Sequence, residues 1–234
     1  MSATTRKRTA LRASLVVAIT FATGLAAEPH PHQGVLAPYA KKPPVIEITP
    51  DEAARLDAGK PVMRQSEAGM GGRGVAVQDI AAPTDVVWGR ILDFAAYPKM
   101  IDDVKEIEVY EEAKERTKVR FVIGRFGLSL EYFIDHVVKR DEGFMTWTLD
   151  YSRKSELDDS VGYWYVAAHP TKKDVTRLFY SVDVRMKGFV PGFIQDLVRE
   201  EGLVRATKWV KLHAERAHAD ARARAATSSS GTTP

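Results

Sequence analysis

The spacing of apolar residues changes period along this chain, and each change marks an element. Between Val104 and Met186 alternation dominates. Val119, Phe121 and Ile123 stand opposite Lys118 and Arg120; Leu130, Tyr132 and Ile134 stand opposite Ser129, Glu131 and Asp135. Leu178, Tyr180, Val182 and Val184 likewise oppose Arg177, Ser181, Asp183 and Arg185. A period of two sends successive side chains to opposite faces, so each segment predicts a strand with one apolar face. Turn-forming residues divide the stretch into strands at about 104–112, 116–124, 127–139, 143–151, 161–168 and 174–186. An earlier strand begins at Val75. Ala82-Pro83-Thr84-Asp85 then opens a helix carrying Val86, Val87, Ile91 and Leu92, and a short helical or irregular piece covers 93–100. After Val190-Pro191-Gly192 the period becomes helical to about Ala219. There Phe193, Leu197, Leu203, Val204, Val210 and Ala214 form a broad apolar arc, while Glu201 and Arg205 are spaced to pair on the helix surface.

The ends of the chain read differently. Residues 28–48 carry Pro29, Pro31, Pro38, Pro43 and Pro44, which favours an extended lead along the surface. Thr49, Pro50 and Glu52 form a capping box at the start of a helix over about 50–58, which Gly59 ends. The Gly-rich run Gly69 to Gly74 reads as a flexible joint and sets a domain boundary. The small, polar residues 220–234 read as a disordered tail. The chain thus divides into 1–26, a lead with one helix over 27–73, a folded domain over 74–219, and the tail. Within the domain, one sheet and one long helix each have a single apolar surface to bury. The simplest solution is an α+β helix-grip fold, a curved antiparallel sheet wrapped around the C-terminal helix.

Several segments carry a family pattern: Ile80-Ala81-Ala82-Pro83-Thr84-Asp85-Val86-Val87-Trp88, Leu92-Asp93-Phe94-Ala95-Ala96-Tyr97-Pro98, Gly162-Tyr163-Trp164-Tyr165-Val166, Thr176-Arg177-Leu178-Phe179-Tyr180-Ser181 and the helix after Pro191. In these the chain resembles the START/Bet v 1-like (SRPBCC) superfamily, and within it the polyketide cyclase and coenzyme-Q-binding START-domain branch. The resemblance spans about 74–217 and leaves 28–70 without a counterpart. It implies a space between sheet and helix that takes a lipid-like ligand. Its motifs are structural, so they specify the fold better than the ligand.

Charge and composition narrow the classes. The formal charge is +3, of which Arg6, Lys7, Arg8 and Arg12 supply four positive charges, so a chain cut after Ala26 carries −1. That near-neutral remainder lacks the clustered basic face nucleic acid requires. There are no cysteines, which excludes disulfides, thiolate metal ligands and cysteine nucleophiles. The basic start followed by the apolar run Ala13–Ala26 reads as a cleaved signal peptide for the secretory pathway; a plastid or mitochondrial transit peptide is the alternative.

The candidate chemistry is sparse. Gly69-Met70-Gly71-Gly72-Arg73-Gly74 has the letters of a dinucleotide-binding loop but precedes a strand where such a loop must follow one. His30-Pro31-His32 has no third metal ligand at short spacing, so the sequence calls for no metal, cofactor or catalytic residue. Asp102-Asp103 and Glu111-Glu112 read as solvated charges. The predicted inward faces bring together Phe121, Tyr132, Met145, Trp147, Trp164 and Tyr180, a lining suited to a flat or prenylated apolar ligand and equally to a plain core. Phe189, Val190 and Phe193, in a Gly/Pro-bounded loop before the long helix, read as a gate or as an edge in transient contact with a membrane. Binding of a lipid or isoprenoid quinone, as carrier, chaperone or sensor, therefore leads. The alternatives are a cyclase- or hydratase-type enzyme using His136, Tyr132 or Tyr180, and a partner-binding accessory whose arm is 28–70. Oligomeric state stays open.

Overall fold

The structure is a computed structural model that describes residues 27–39, 41–43, 46–68, 71–125, 127–186 and 200–230. The segment 1–26, which the sequence reads as a signal peptide, and Phe189, Val190 and Phe193, which it reads as a gate, lie outside the described residues.

Helix α1 (Pro50–Asp57) starts where the sequence places it, because the Thr49 hydroxyl accepts from the Glu52 amide at 3.3 Å and the Glu52 carboxylate accepts from the Thr49 amide at 2.9 Å. Strands β1 (Val62–Ala68) and β2 (Gly71–Ile80) follow. Helices α2 (Thr84–Ile91) and α3 (Tyr97–Met100) lead into β3 (Val104–Ala113), β4 (Arg116–Arg125) and β5 (Leu128–Lys139). Then come β6 (Phe144–Leu149), β7 (Asp159–Ala168) and β8 (Thr176–Arg185), and finally α4 (Glu200–Ser230). All these strands join one antiparallel sheet in the order β1-β2-β8-β7-β6-β5-β4-β3.

Two expectations are corrected here. The stretch 71–74 is not a joint: it is the first part of β2, paired with β8 from Gly71↔Arg185 onward and with β1. Its last glycine has a packing role, since a Cβ on Gly74 would lie 2.5 Å from both methyls of Leu203 on α4. Only glycine lets the helix come this close to the strand. With β1 added to the sheet, the folded unit starts upstream of 74. The tail is also corrected, because α4 continues through Ser230 and so includes most of 220–234. Ala and Arg, which fill 221–226, favour helix, and a helix already nucleated propagates cheaply through such residues.

Helix α4 rests mainly on β2 and α2, with further contact to β1 and β8. Leu203, Val210 and Ala214 are fully buried there, as the apolar arc predicts. The other half of the sheet, β4 to β6, curves away from this seat. The outer face is treated in two ways. Over β3 to β5 it is charged, with cross-strand pairs such as Arg120–Glu131, Arg116–Asp135 and Lys118–Glu111. Over β2, β7 and β8 it is apolar and covered: Val77, Tyr163 and Phe179 pack with Leu56 of α1, Val62 and the lead residues Tyr39, Ile46 and Ile48.

Candidate ligand cavity

Between the helix and the curved half of the sheet lies a cavity of about 610 Å³. This is within the range of about 300–1,000 Å³ found for small-molecule sites. All six residues singled out from the alternation, Phe121, Tyr132, Met145, Trp147, Trp164 and Tyr180, line it. Strand register explains the convergence. Phe121 faces Tyr132 across β4–β5, and Trp164 faces Tyr180 across β7–β8. The first pair stacks at 5.2 Å with an interplanar angle of 2°. Tyr180 lies 4.4 Å from Trp164 and stacks on Trp147 at 5.8 Å. Trp147 fits because its partner across β6–β7 is Gly162, where a Cβ would lie 2.2 Å from the indole.

The six are not equivalent. Met145 is almost fully buried and Phe121, Trp147 and Trp164 nearly so, whereas Tyr132 and Tyr180 are half-buried. Burial away from bulk water pushes both phenols above their usual range. No hydrogen-bond partner meets either hydroxyl among the described residues. Sequence reasoning missed Trp209 of α4, which lines the cavity and packs 4.9 Å from Tyr97. Its place one residue before Val210 of the apolar arc was the available signal. Helical periodicity alone does not separate a buried seat from a cavity wall.

His136 also lines the cavity, among Phe94 at 4.9 Å, Phe121 and Trp147. Its Nδ1 lies 3.1 Å from the Thr117 carbonyl oxygen. A carbonyl only accepts, so Nδ1 carries the proton and Nε2 presents a lone pair. Burial holds the imidazole down to about 4, so it is neutral at neutral pH. At the cavity rim, Arg125 donates two bonds to the Asp103 carboxylate, at 2.8 and 2.7 Å. The expectation that Asp103 is a solvated charge is thereby corrected.

The metal reading needs a correction too. The fold supplies the third ligand that the sequence lacked, since Asp158 brings a carboxylate oxygen within 4.8 Å of His30 and His32. Yet each imidazole is already committed. The Nδ1 atoms accept from the Ser155 and Gly34 amides, so each Nε2 carries its proton and donates to Asp158, His30 to the carbonyl and His32 to the carboxylate. A metal on Nε2 would force a proton onto each Nδ1, facing an N–H donor. The cluster therefore works as a clasp for the lead. A second cluster, Asp57, Asp79 and His169, is occupied by Arg177 and Lys172 in the same way.

Fold and cavity together define an α+β helix-grip protein, a curved antiparallel sheet closed by a long C-terminal helix around an apolar cavity. Residues 80–205 match the family described as polyketide cyclase/dehydrase and lipid transport, and the chain belongs to that family. The lead, α1 and β1 lie upstream of the match. Among solved structures, a Thermus thermophilus protein is similar with a TM-score of 0.53 and 17% identity, covering 62% of this chain and 98% of its own. The Zhui aromatase/cyclase of Streptomyces sp. R1128 gives 0.53 and 16%, covering 66% and 95%. The STAR-related lipid transfer protein of Xanthomonas axonopodis gives 0.53 and 15%, covering 66% and 92%. At such identities the likeness is one of fold. No curated protein matches the sequence.

Proposed function

We propose that this protein binds a hydrophobic small molecule, a lipid or isoprenoid quinone, in the cavity between sheet and helix, acting as carrier, chaperone or sensor. The observation that carries the reading is the aromatic wall around about 610 Å³ of space, in which the Tyr132 and Tyr180 hydroxyls have no partner among the described residues. A plain core closes around its aromatics and satisfies their polar atoms. A ligand with a long apolar body and a small polar function uses both features: the rings contact its body and the hydroxyls bond its carbonyl or hydroxyl.

Catalysis is the second reading, because the family name includes cyclases and dehydrases. The described wall offers weak support. His136 near 4 is a poor base at neutral pH, and phenols pushed up by burial are poor acids. As for the accessory reading, Tyr39, Ile46, Ile48 and Leu56 of the proposed arm pack on this molecule's own sheet.

The test is recovery of a ligand. Protein purified from its own source and analysed by native mass spectrometry is expected to carry an apolar molecule of defined mass, and Tyr180→Phe to carry less of it at an unchanged melting temperature. If wild-type protein carries none and also fails to bind a neutral apolar fluorophore, the reading is wrong.

A further inference from the structure

The cavity wall contributed by α4 contains a charge that the described residues leave unanswered. Arg205 lines the cavity, and its Nη2 atom is buried without a hydrogen-bond partner. A guanidinium keeps its charge at any physiological pH and has five N–H donors in a rigid fork. A buried donor without an acceptor carries its full desolvation penalty. Among the described residues such a group is rare: the one other orphan is Arg90 Nε, which does not line the cavity. Arg205 is also set apart from the other arginine on the wall. Arg125 is neutralised by the two-pronged bond to Asp103, while no carboxylate among the described residues answers Arg205 Nη2.

Charge along the wall points the same way. The lining cations are Lys99, Arg125, Arg205 and Lys208, and the lining carboxylates are Asp102 and Asp103. Lys99 and Lys208 are exposed, as is Asp102, so the exposed lining charges are net basic, while Arg205 is less exposed than either lysine. The rest of the wall is mostly aromatic and aliphatic, with His136, His213, Ser160 and the tyrosine hydroxyls as its polar groups. One guanidinium with an unanswered donor, facing a mostly apolar space, matches a monoanion with a long or flat apolar body. A phosphate carries more charge and calls for more donors than this wall supplies.

Resting on the reading of this cavity as a ligand site, we infer that its ligand is an amphiphilic carboxylic acid whose carboxylate binds Arg205 while its apolar body lies along the Trp147–Trp164–Tyr180 wall. The long side chain turns its unbonded edge to the incoming carboxylate, replacing an orphaned donor with a charge-assisted pair. The basic rim draws the acid in. A neutral lipid of the same length fills the same space and leaves Arg205 as it is.

The experiment uses the full chain, the neutral fluorophore N-phenyl-1-naphthylamine as reporter of the cavity, and palmitate and hexadecan-1-ol as competitors differing only at the head. In wild-type protein palmitate should displace the reporter at a concentration at least about tenfold lower than the alcohol, equivalent to about 1.4 kcal/mol. In Arg205→Met, which keeps an unbranched stem, that preference should collapse to near unity; because acid and alcohol displace the same reporter from the same protein, any change in reporter affinity cancels in the ratio. In Arg205→Lys, which keeps the charge but not the fork, an intermediate preference is expected. The lysine variant carries the test if the methionine variant does not fold. An acid preference absent from wild type, or undiminished in both variants, overturns this inference while leaving the cavity reading intact. Failure of the reporter to bind wild-type protein overturns both.

Discussion

His136 ties a single residue to the pH response of the whole protein. Burial holds its folded pKa near 4, against the opposing effects of the Thr117 carbonyl and Asp135. In the unfolded chain it titrates near the ordinary value of about 6.5. Between those values the unfolded state binds a proton that the folded state refuses, so stability falls as pH drops from about 6.5 to about 4 and is fully present above that window. The contribution is up to about 3 kcal/mol. Carboxylates with lowered values, such as Glu52 at about 2, act lower on the pH scale. Urea midpoints at pH 7 and pH 4.5 should therefore diverge in wild type and converge in His136→Gln; an equal divergence in both would show that His136 is not the group responsible. His136 was legible as the one inward titratable residue, because it continues the alternation of Leu130, Tyr132 and Ile134. Arg205 was not. Its i, i+4 spacing to Glu201 suggests a surface pair, and only the curvature of the sheet away from α4 turns its side of the helix into a cavity wall.

At the scale of elements, the lead is a built part of the fold. Asp159 opens β7 and is fully buried. One oxygen accepts from the Val35 and Leu36 amides at 2.6 and 2.7 Å, and the other from the Tyr151 hydroxyl and the Ser160 amide, both at 2.8 Å. Beside it His30 and His32 donate to Asp158, and the Lys154 amide donates to the Glu28 carbonyl at 2.7 Å. Asp159→Ala removes the acceptor from four donors. It should cost about 2–4 kcal/mol and open 27–39 to proteolysis before the rest of the domain. An unchanged melting temperature and digestion pattern would mean that the lead is held by its apolar contacts alone. The proline content of this segment announced an extended surface chain, but not its seat, since its partners are more than 120 positions away. The same distance hid the strand character of Gly71–Gly74. Glycines in a row read locally as a hinge, and it is pairing with β1 and β8 that makes them a strand, with Leu203 packed over Gly74.

At the scale of the molecule, we propose from the basic and apolar order of residues 1–26 that they are a targeting segment removed from the mature protein. N-terminal sequencing of mature protein should find a start near Ala27, and recovery of Met1 or Ser2 would refute the assignment. By itself the sequence determined the order of elements from Val75 onward, the inward face of those strands and hence the aromatic wall of Phe121, Tyr132, Met145, Trp147, Trp164 and Tyr180. Alternation is a local property, and a slip of one residue would expose every one of these side chains. It also determined the class of fold, since one apolar sheet face and one apolar helix arc have few ways to cover each other. The tertiary structure alone decided that the sheet curves far enough from α4 to leave space, that two phenols and an arginine meet there without partners among the described residues, and that Asp158 and Asp159 fasten the lead. These are contacts between segments distant in the chain. They depend on how closely helix and strand approach, and periodicity carries no record of that distance.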